Sequence, residues 1–143
     1  MDLESALLEA LNREIAVYDV SEELPGQRAE ADHDIAVYTA AVVALIVRRH
    51  DKGAACLVID EGMDPDERVA DAVLSAEGAE RDLTEDESDN LGVLTGNFSD
   101  RNSAAWHPLC RHVDDRHGVF HLDLDKASKA GLDLLARRAA SAK

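Results

Sequence analysis

The chain has 143 residues, of which 45% are hydrophobic and 3% are aromatic, and its formal net charge is −15. This length and apolar content predict a single globular domain over residues 1–143 with a core of small aliphatic side chains, and they argue against disorder. The negative charge disfavours direct binding to nucleic acid or to an anionic membrane, because the phosphates of both would repel it.

The acidic residues are concentrated in two blocks. Residues 1–34 hold ten acidic residues against two arginines, and residues 60–90 hold thirteen against two. The ranges 35–59 and 91–143 each carry a balance of +2. The natural partners of such blocks are cationic, namely a basic protein surface, metal ions or the ions of a salt-rich cytoplasm.

The beginning of the chain and its cysteines predict a cytoplasmic protein without a membrane span. The first residues are acidic and lack the apolar stretch of a signal peptide. The longest uncharged run, residues 35–47, has thirteen residues, whereas a membrane span needs roughly 20. Cys56 and Cys110 are expected to be free thiols in a reducing compartment.

An amphipathic helix is predicted at the N-terminus. Asp2 is placed to cap it, and apolar residues recur three or four positions apart over residues 3–18. The pattern ends before Pro25, and residues 21–32 are expected to form a polar connection.

A second helix is predicted to begin at a cap on Asp32 or Asp34 and to end near Arg49 or His50. Its residues are apolar on most sides, so it is expected at the centre of the core. The basic residues of its last turn would complement the helix dipole.

The middle of the chain predicts a strand followed by a helix. Residues 54–59 form a short apolar run with β-branched members, which favours a buried strand. Residues 64–67, Asp-Pro-Asp-Glu, provide an N-cap, a proline at the first helical position and a glutamate at the third. They predict a helix whose buried side lies within residues 69–76 and which Gly78 closes.

Residues 80–90 leave two structures open. They are acidic enough to form a solvated loop, but Thr84 and Glu87 have the spacing of a capping box that would start a short helix through Leu94. Gly92 weakens the helical alternative.

The C-terminal third predicts a strand and a last helix. Residues 118–125 alternate between apolar and polar side chains, as a half-buried strand does. A helix is expected from about Lys126 to Ala140. The predicted fold is therefore a compact, helix-rich α+β domain with about four to five helices and a small sheet containing the strands near 54–59 and 118–125.

A histidine-rich segment near the C-terminus is a candidate metal site. Histidine and thiolate are preferred ligands of zinc, although the spacing here matches no established zinc module. The alternative is a surface segment with incidental histidines. The candidate ligands for zinc or another divalent metal are His107, Cys110, His112, His117 and His121.

The sequence contains no phosphate-binding loop and no nucleophile elbow, and it predicts neither catalytic residues nor a cofactor. The favoured hypothesis is a protein that binds the basic surface of another protein, in its sharpest form an inhibitor that mimics nucleic-acid charge, as phage inhibitors of host nucleases do. The predicted contact residues are Glu61, Asp64, Asp66, Glu67, Glu85, Asp86, Glu87 and Asp89.

Two other functions stay open at this point. The histidine-rich segment would make the chain a metal-binding protein or a metal-dependent enzyme. Alternatively, the acidic residues would be a general adaptation of a cytoplasmic domain to high salt. No motif in the sequence identifies the partner. A nucleic-acid-handling complex would have the basic surface that the hypothesis requires. A homodimer is also left open.

Overall fold

The computed structural model describes residues 2–61 and 68–141. Its helices are α1 (Leu3–Val20), α2 (Pro25–His50), α3 (Glu85–Leu94), α4 (Ser103–Trp106) and α5 (Leu124–Ser141). Its strands are β1 (Ala54–Glu61), β2 (Arg68–Ser75), β3 (Glu80–Asp82), β4 (Cys110–Asp114) and β5 (Val119–Asp123). None of the described helices combines the length and the apolar character needed to cross a bilayer.

The predicted α+β fold is confirmed. The strands form one antiparallel sheet in the order β3-β2-β1-β5-β4. Helix α2 packs against both α1 and α5, and all its residues from 35 to 44 are buried. The core lies between these helices and the sheet residues Leu57, Ile59, Phe120 and Leu122, so α2 occupies the central position expected of it.

The N-terminal helix has the predicted cap, but the second helix begins earlier than expected. The Asp2 Oδ1 atom accepts a hydrogen bond from the Ser5 amide at 2.7 Å. Helix α2 starts at Pro25, where a missing amide hydrogen costs nothing because the first turn has no backbone acceptor for it. The predicted caps Asp32 and Asp34 are wrong, since both residues are buried inside α2.

The helix predicted over residues 69–76 is also wrong, because these residues belong to strand β2. Leu57 pairs with Val73, and Val58 pairs with Ala72. Val69 and Val73 are β-branched and fit a pleated surface, and β1 and β3 supply hydrogen-bonding partners on both sides. The capping sequence at residues 64–67 lies outside the described residues.

Of the two structures left open for residues 80–90, the helix is the one that forms, as α3. Thr84 Oγ1 accepts from the Glu87 amide at 3.1 Å, and Glu87 Oε1 accepts from the Thr84 amide at 2.9 Å. Both halves of the capping box are therefore present. Strand β3, which ends two residues before Thr84, pairs with β2 as the edge strand of the sheet.

The C-terminal strand and helix are confirmed with a small shift. Phe120 and Leu122 of β5 are fully buried, as the alternation predicts. Helix α5 begins at Leu124, slightly before the expected Lys126. The Asp123 Oδ1 atom accepts from the amides of Asp125 and Lys126 at 3.0 and 3.1 Å, so the last residue of the strand also caps the helix.

Candidate functional site

The structure separates the predicted acidic contact residues into three groups. Glu85, Asp86 and Asp89 are exposed on α3, whereas Glu87 is buried. Glu61 lies at the end of β1. Asp64, Asp66 and Glu67 lie outside the described residues.

Glu61 stands apart from α3. Its Oε1 atom lies 3.5 Å from Nη2 of the buried Arg68, and its amide donates to the Gly118 carbonyl at 2.8 Å. Helix α3 lies near the opposite end of β1, which begins at Ala54, because Asp86 contacts His50. The eight residues of β1 span about 23 Å at about 3.3 Å per residue, so Glu61 and α3 do not share one contact patch.

Five exposed acidic residues lie on β3 and α3, and we refer to them as the acidic edge. Within the described ranges, four of them make no side-chain hydrogen bond or ion pair, while Asp86 Oδ2 lies 3.0 Å from His50 Nε2. Residues i and i+4 share one side of a helix, which places Glu85 and Asp89 together. The acidic edge consists of Glu80, Asp82, Glu85, Asp86 and Asp89.

The basic residue among them, Arg81, is already matched by other carboxylates. Its Nη1 and Nη2 atoms donate to Glu87 at 2.8 and 3.0 Å, and its Nε donates to Asp51 Oδ2 at 2.9 Å. The bond from Arg81 holds the pKa of Glu87 below its ordinary value, and Glu87 raises the pKa of Arg81 in turn. Arg81 therefore holds α3 in place and does not neutralise the acidic edge.

Two of the candidate metal ligands, His107 and Cys110, pack against Trp106 instead of facing a common metal position. The His107 ring lies 4.3 Å from the Trp106 ring and 5.0 Å from the Phe120 ring between centroids, and burial lowers its pKa. The Cys110 thiol is buried and lies 3.5 Å from the Trp106 carbonyl oxygen. Burial raises the pKa of Cys110 to about 12, which opposes formation of the thiolate that a metal or a nucleophilic reaction needs.

The other three candidate ligands lie along the β4–β5 hairpin. The rings of His112 and His121 are 4.9 Å apart on neighbouring strands, and His117 Nδ1 lies 2.8 Å from Asp114 Oδ2. The structure thus brings two of the five predicted ligands together. Across residues 2–61 and 68–141, no group of three or more histidine, cysteine, aspartate or glutamate side chains is arranged to hold a metal ion.

A cavity of about 530 Å³ lies where α1 and the beginning of α2 meet α4. The sequence pattern did not predict this cavity, because residues 21–32 were expected to be a polar connection. The spacing of Pro25, Arg28 and Asp32 could have indicated it, because residues three or four positions apart lie on one side of a helix. The lining residues are Tyr18, Glu22, Pro25, Arg28, Ala29, Asp32, His33, Arg101, Asn102, Ala104 and Ala105.

Comparisons of this chain with protein families, with curated proteins and with solved structures found no match. Fold and function are therefore argued from the chain's own residues. Two features stand out as candidate binding sites: the acidic edge at β3 and α3, and the cavity between α1, α2 and α4.

Proposed function

We propose that this protein is a non-enzymatic binding protein whose acidic edge engages a basic surface on another protein. The observation that carries the proposal is the set of exposed carboxylates on Glu80, Asp82, Glu85 and Asp89, which form no ion pair within the described part of the chain. They follow one another on an edge strand and a capped helix. A cationic surface would match them without first breaking an ion pair inside the protein.

The fixed positions of β3 and α3 relative to each other support the proposal. The capping box holds the first turn of α3, and Arg81 joins β3 to α3 through Glu87 and to the end of α2 through Asp51. Groups that are held in place before binding lose less conformational entropy when a partner arrives. An array of fixed negative charges is also what a nucleic-acid-binding surface recognises in a phosphate backbone, so we favour a cytoplasmic nucleic-acid-handling protein as the partner.

The expected contribution of the acidic edge is largest in the association rate. Charge complementarity steers two proteins together and raises their association rate by about one order of magnitude or more at low salt. The effect decreases as salt screens exposed charges, with a Debye length of about 10 Å at 0.1 M and about 3 Å at 1 M.

The proposal is tested with two variants of equal charge. One carries Glu80→Lys, Asp82→Lys and Asp89→Lys on the acidic edge. The control carries Glu9→Lys, Asp19→Lys and Glu23→Lys, which change exposed acidic residues on α1 and just after it. Each chain is immobilised and used to capture proteins from a lysate of the source organism at ~0.1 M and ~1 M NaCl, with identification by mass spectrometry.

We expect the wild type and the control to retain a basic protein at the lower salt concentration, and the acidic-edge variant to lose it. The association rate of the purified partner should then decrease about tenfold or more for that variant alone. Equal loss in both variants would show that only total charge matters, as a general salt adaptation would require. Full retention by the acidic-edge variant would overturn the proposal.

A further inference from the structure

The cavity between α1, α2 and α4 contains a guanidinium group that forms no ion pair with a carboxylate of the described residues. Arg28 lies in the first turns of α2, with its Cζ atom 4.2 Å from the centre of the Tyr18 ring. Its Nε atom is buried and has no hydrogen-bond partner among the described residues. The two Nη groups are not among the buried unpaired atoms, so they are the donors that an acceptor entering the cavity would meet.

Arg28 differs in this respect from the arginines that join elements of the fold, in a chain where acidic residues outnumber basic ones by 30 to 15. The arginines that join its elements each contact a carboxylate. Arg48 reaches Asp125 at 2.5 Å, and Arg49 reaches Glu4 at 2.8 Å. Within residues 2–61 and 68–141, Arg28 has no such ion pair, although the cavity wall includes acidic side chains.

One acidic residue of the cavity wall already has other partners. Asp32 lies one turn after Arg28 and is buried. Its Oδ2 atom accepts from Arg101 Nε at 2.8 Å, and its Oδ1 atom accepts from Asn102 Nδ2 at 3.1 Å. Glu22, the second acidic residue of the wall, is exposed and forms no ion pair with Arg28. The positive charge of Arg28 is therefore left for a ligand.

The rest of the wall is mostly apolar. Ring and methyl surface of the cavity comes from Tyr18, Pro25, Ala29, Ala104 and Ala105. A volume of about 530 Å³ falls within the range of about 300 to 1,000 Å³ that is typical of small-molecule sites. Such sites combine an apolar wall with a few polar groups that fix the ligand's orientation.

We infer that this cavity binds a small organic acid with one carboxylate and an apolar body. The carboxylate would accept two parallel hydrogen bonds from Arg28, the geometry that a guanidinium offers to carboxylates. The apolar body would lie against Tyr18 and the alanine methyl groups. A ligand with several negative charges fits less well, because Asp32 and Glu22 belong to the same wall. This site is independent of the acidic edge and adds a ligand to the proposed function.

The test compares acids with their uncharged amides. Benzoate and octanoate are titrated into the full chain beside benzamide and octanamide, with binding followed by calorimetry and by the NMR signals of Arg28 Nε–H and Tyr18. Arg28→Gln removes the charge. Arg13→Gln is the matched control, because Arg13 is an exposed arginine on α1 that does not line this cavity.

We expect at least one acid to bind the wild type and the Arg13→Gln variant about tenfold or more tightly than its amide. Arg28→Gln should remove that preference, while Arg28→Lys should retain part of it. The inference is wrong if neither acid binds, if acids and amides bind alike, or if Arg28→Gln binds the acid as well as the wild type does. Should Arg28→Gln fail to fold, the comparison of acid with amide on the wild type still decides.

Discussion

The buried carboxylate of Glu87 accepts two parallel hydrogen bonds from Arg81, at 2.8 and 3.0 Å. The same carboxylate accepts from the Thr84 amide and completes the capping box of α3. One member of the predicted contact set is thus internal to the fold. Its position holds α3 against the edge of the sheet, while its neighbours Glu85, Asp86 and Asp89 stay exposed.

Replacing Glu87 with glutamine should destabilise the protein. Glutamine can still accept from the Thr84 amide, but it leaves the charge of Arg81 with Asp51 as its remaining partner. Hydrogen bonds to charged groups contribute about 1.5 to 3 kcal/mol, so we expect a loss of about 2 kcal/mol in the free energy of unfolding, measured with urea. Glu85→Gln, at an exposed position in the same turn, should change it by less than about 0.5 kcal/mol.

The stability contribution of Glu87 should depend on pH. Hydrogen bonding to Arg81 holds the pKa of Glu87 below its ordinary value of 4.5 in the folded protein. The contribution is therefore complete above about pH 4.5 and is lost as the pH falls through the folded pKa. Urea unfolding of the wild type should weaken over this range, and the Glu87→Gln variant should show a smaller decrease. Parallel curves for the two proteins would contradict this assignment.

Gly131 should not tolerate a methyl group. A Cβ atom at this position would lie 2.2 Å from the Cβ of Ala41, where α5 crosses α2. Overpacking of this kind costs about 1 to 3 kcal/mol, which exceeds the gain of about 1 kcal/mol in helix propensity. Gly131→Ala should therefore lower the thermal unfolding midpoint, and adding Ala41→Gly should restore part of the loss.

Gly92 provides the matched control for Gly131. It also lies inside a helix, α3, but a Cβ atom built there meets no other atom within 4 Å. Gly92→Ala should raise the free energy of unfolding by up to about 1 kcal/mol through helix propensity alone. Equal effects of the two substitutions would show that α5 and α2 are not in close contact.

Neither cysteine should react readily in the folded protein. Burial raises the pKa of Cys56 and raises the pKa of Cys110 to about 12, so the reactive thiolate is scarce at about pH 8. Alkylation by iodoacetamide, followed by mass spectrometry, should be more than about 100-fold slower in the native protein than in urea. Rapid native labelling of Cys110 would favour the nucleophile or ligand role that its packing opposes.

The charge of His121 should depend on His112. Burial lowers the pKa of His121 below its ordinary value of 6.5, and His112 lowers it further by charge repulsion. In an NMR titration, His112→Asn should raise the pKa of His121 towards 6.5 without reaching it, because the burial remains. An unchanged pKa would mean that the two rings do not interact as the 4.9 Å separation of their centroids implies.

Several elements were determined by residues close together in the sequence. The cap on Asp2, the capping box of Thr84 and Glu87, and the alternation around Phe120 all predicted structures that form. Each depends on hydrogen bonds or side-chain directions within a few residues. These local signals were sufficient to establish the α+β class, whereas the short helix at the capping box had stayed one of two alternatives until the structure showed it.

Other features depended on contacts between residues far apart in the sequence. Residues 69–76 have apolar spacing that suits a helix, yet β1 and β3 hold them in a strand because both neighbours offer backbone hydrogen bonds. The inward position of Glu87 required Arg81, and the isolation of Arg28 required Asp32 to be bound by Arg101 and Asn102. The sequence determined how much negative charge the chain carries, whereas the tertiary structure decided which charges of the described residues form ion pairs and which stay exposed. The reason is that an ion pair forms only between groups that the packed elements bring within hydrogen-bonding distance.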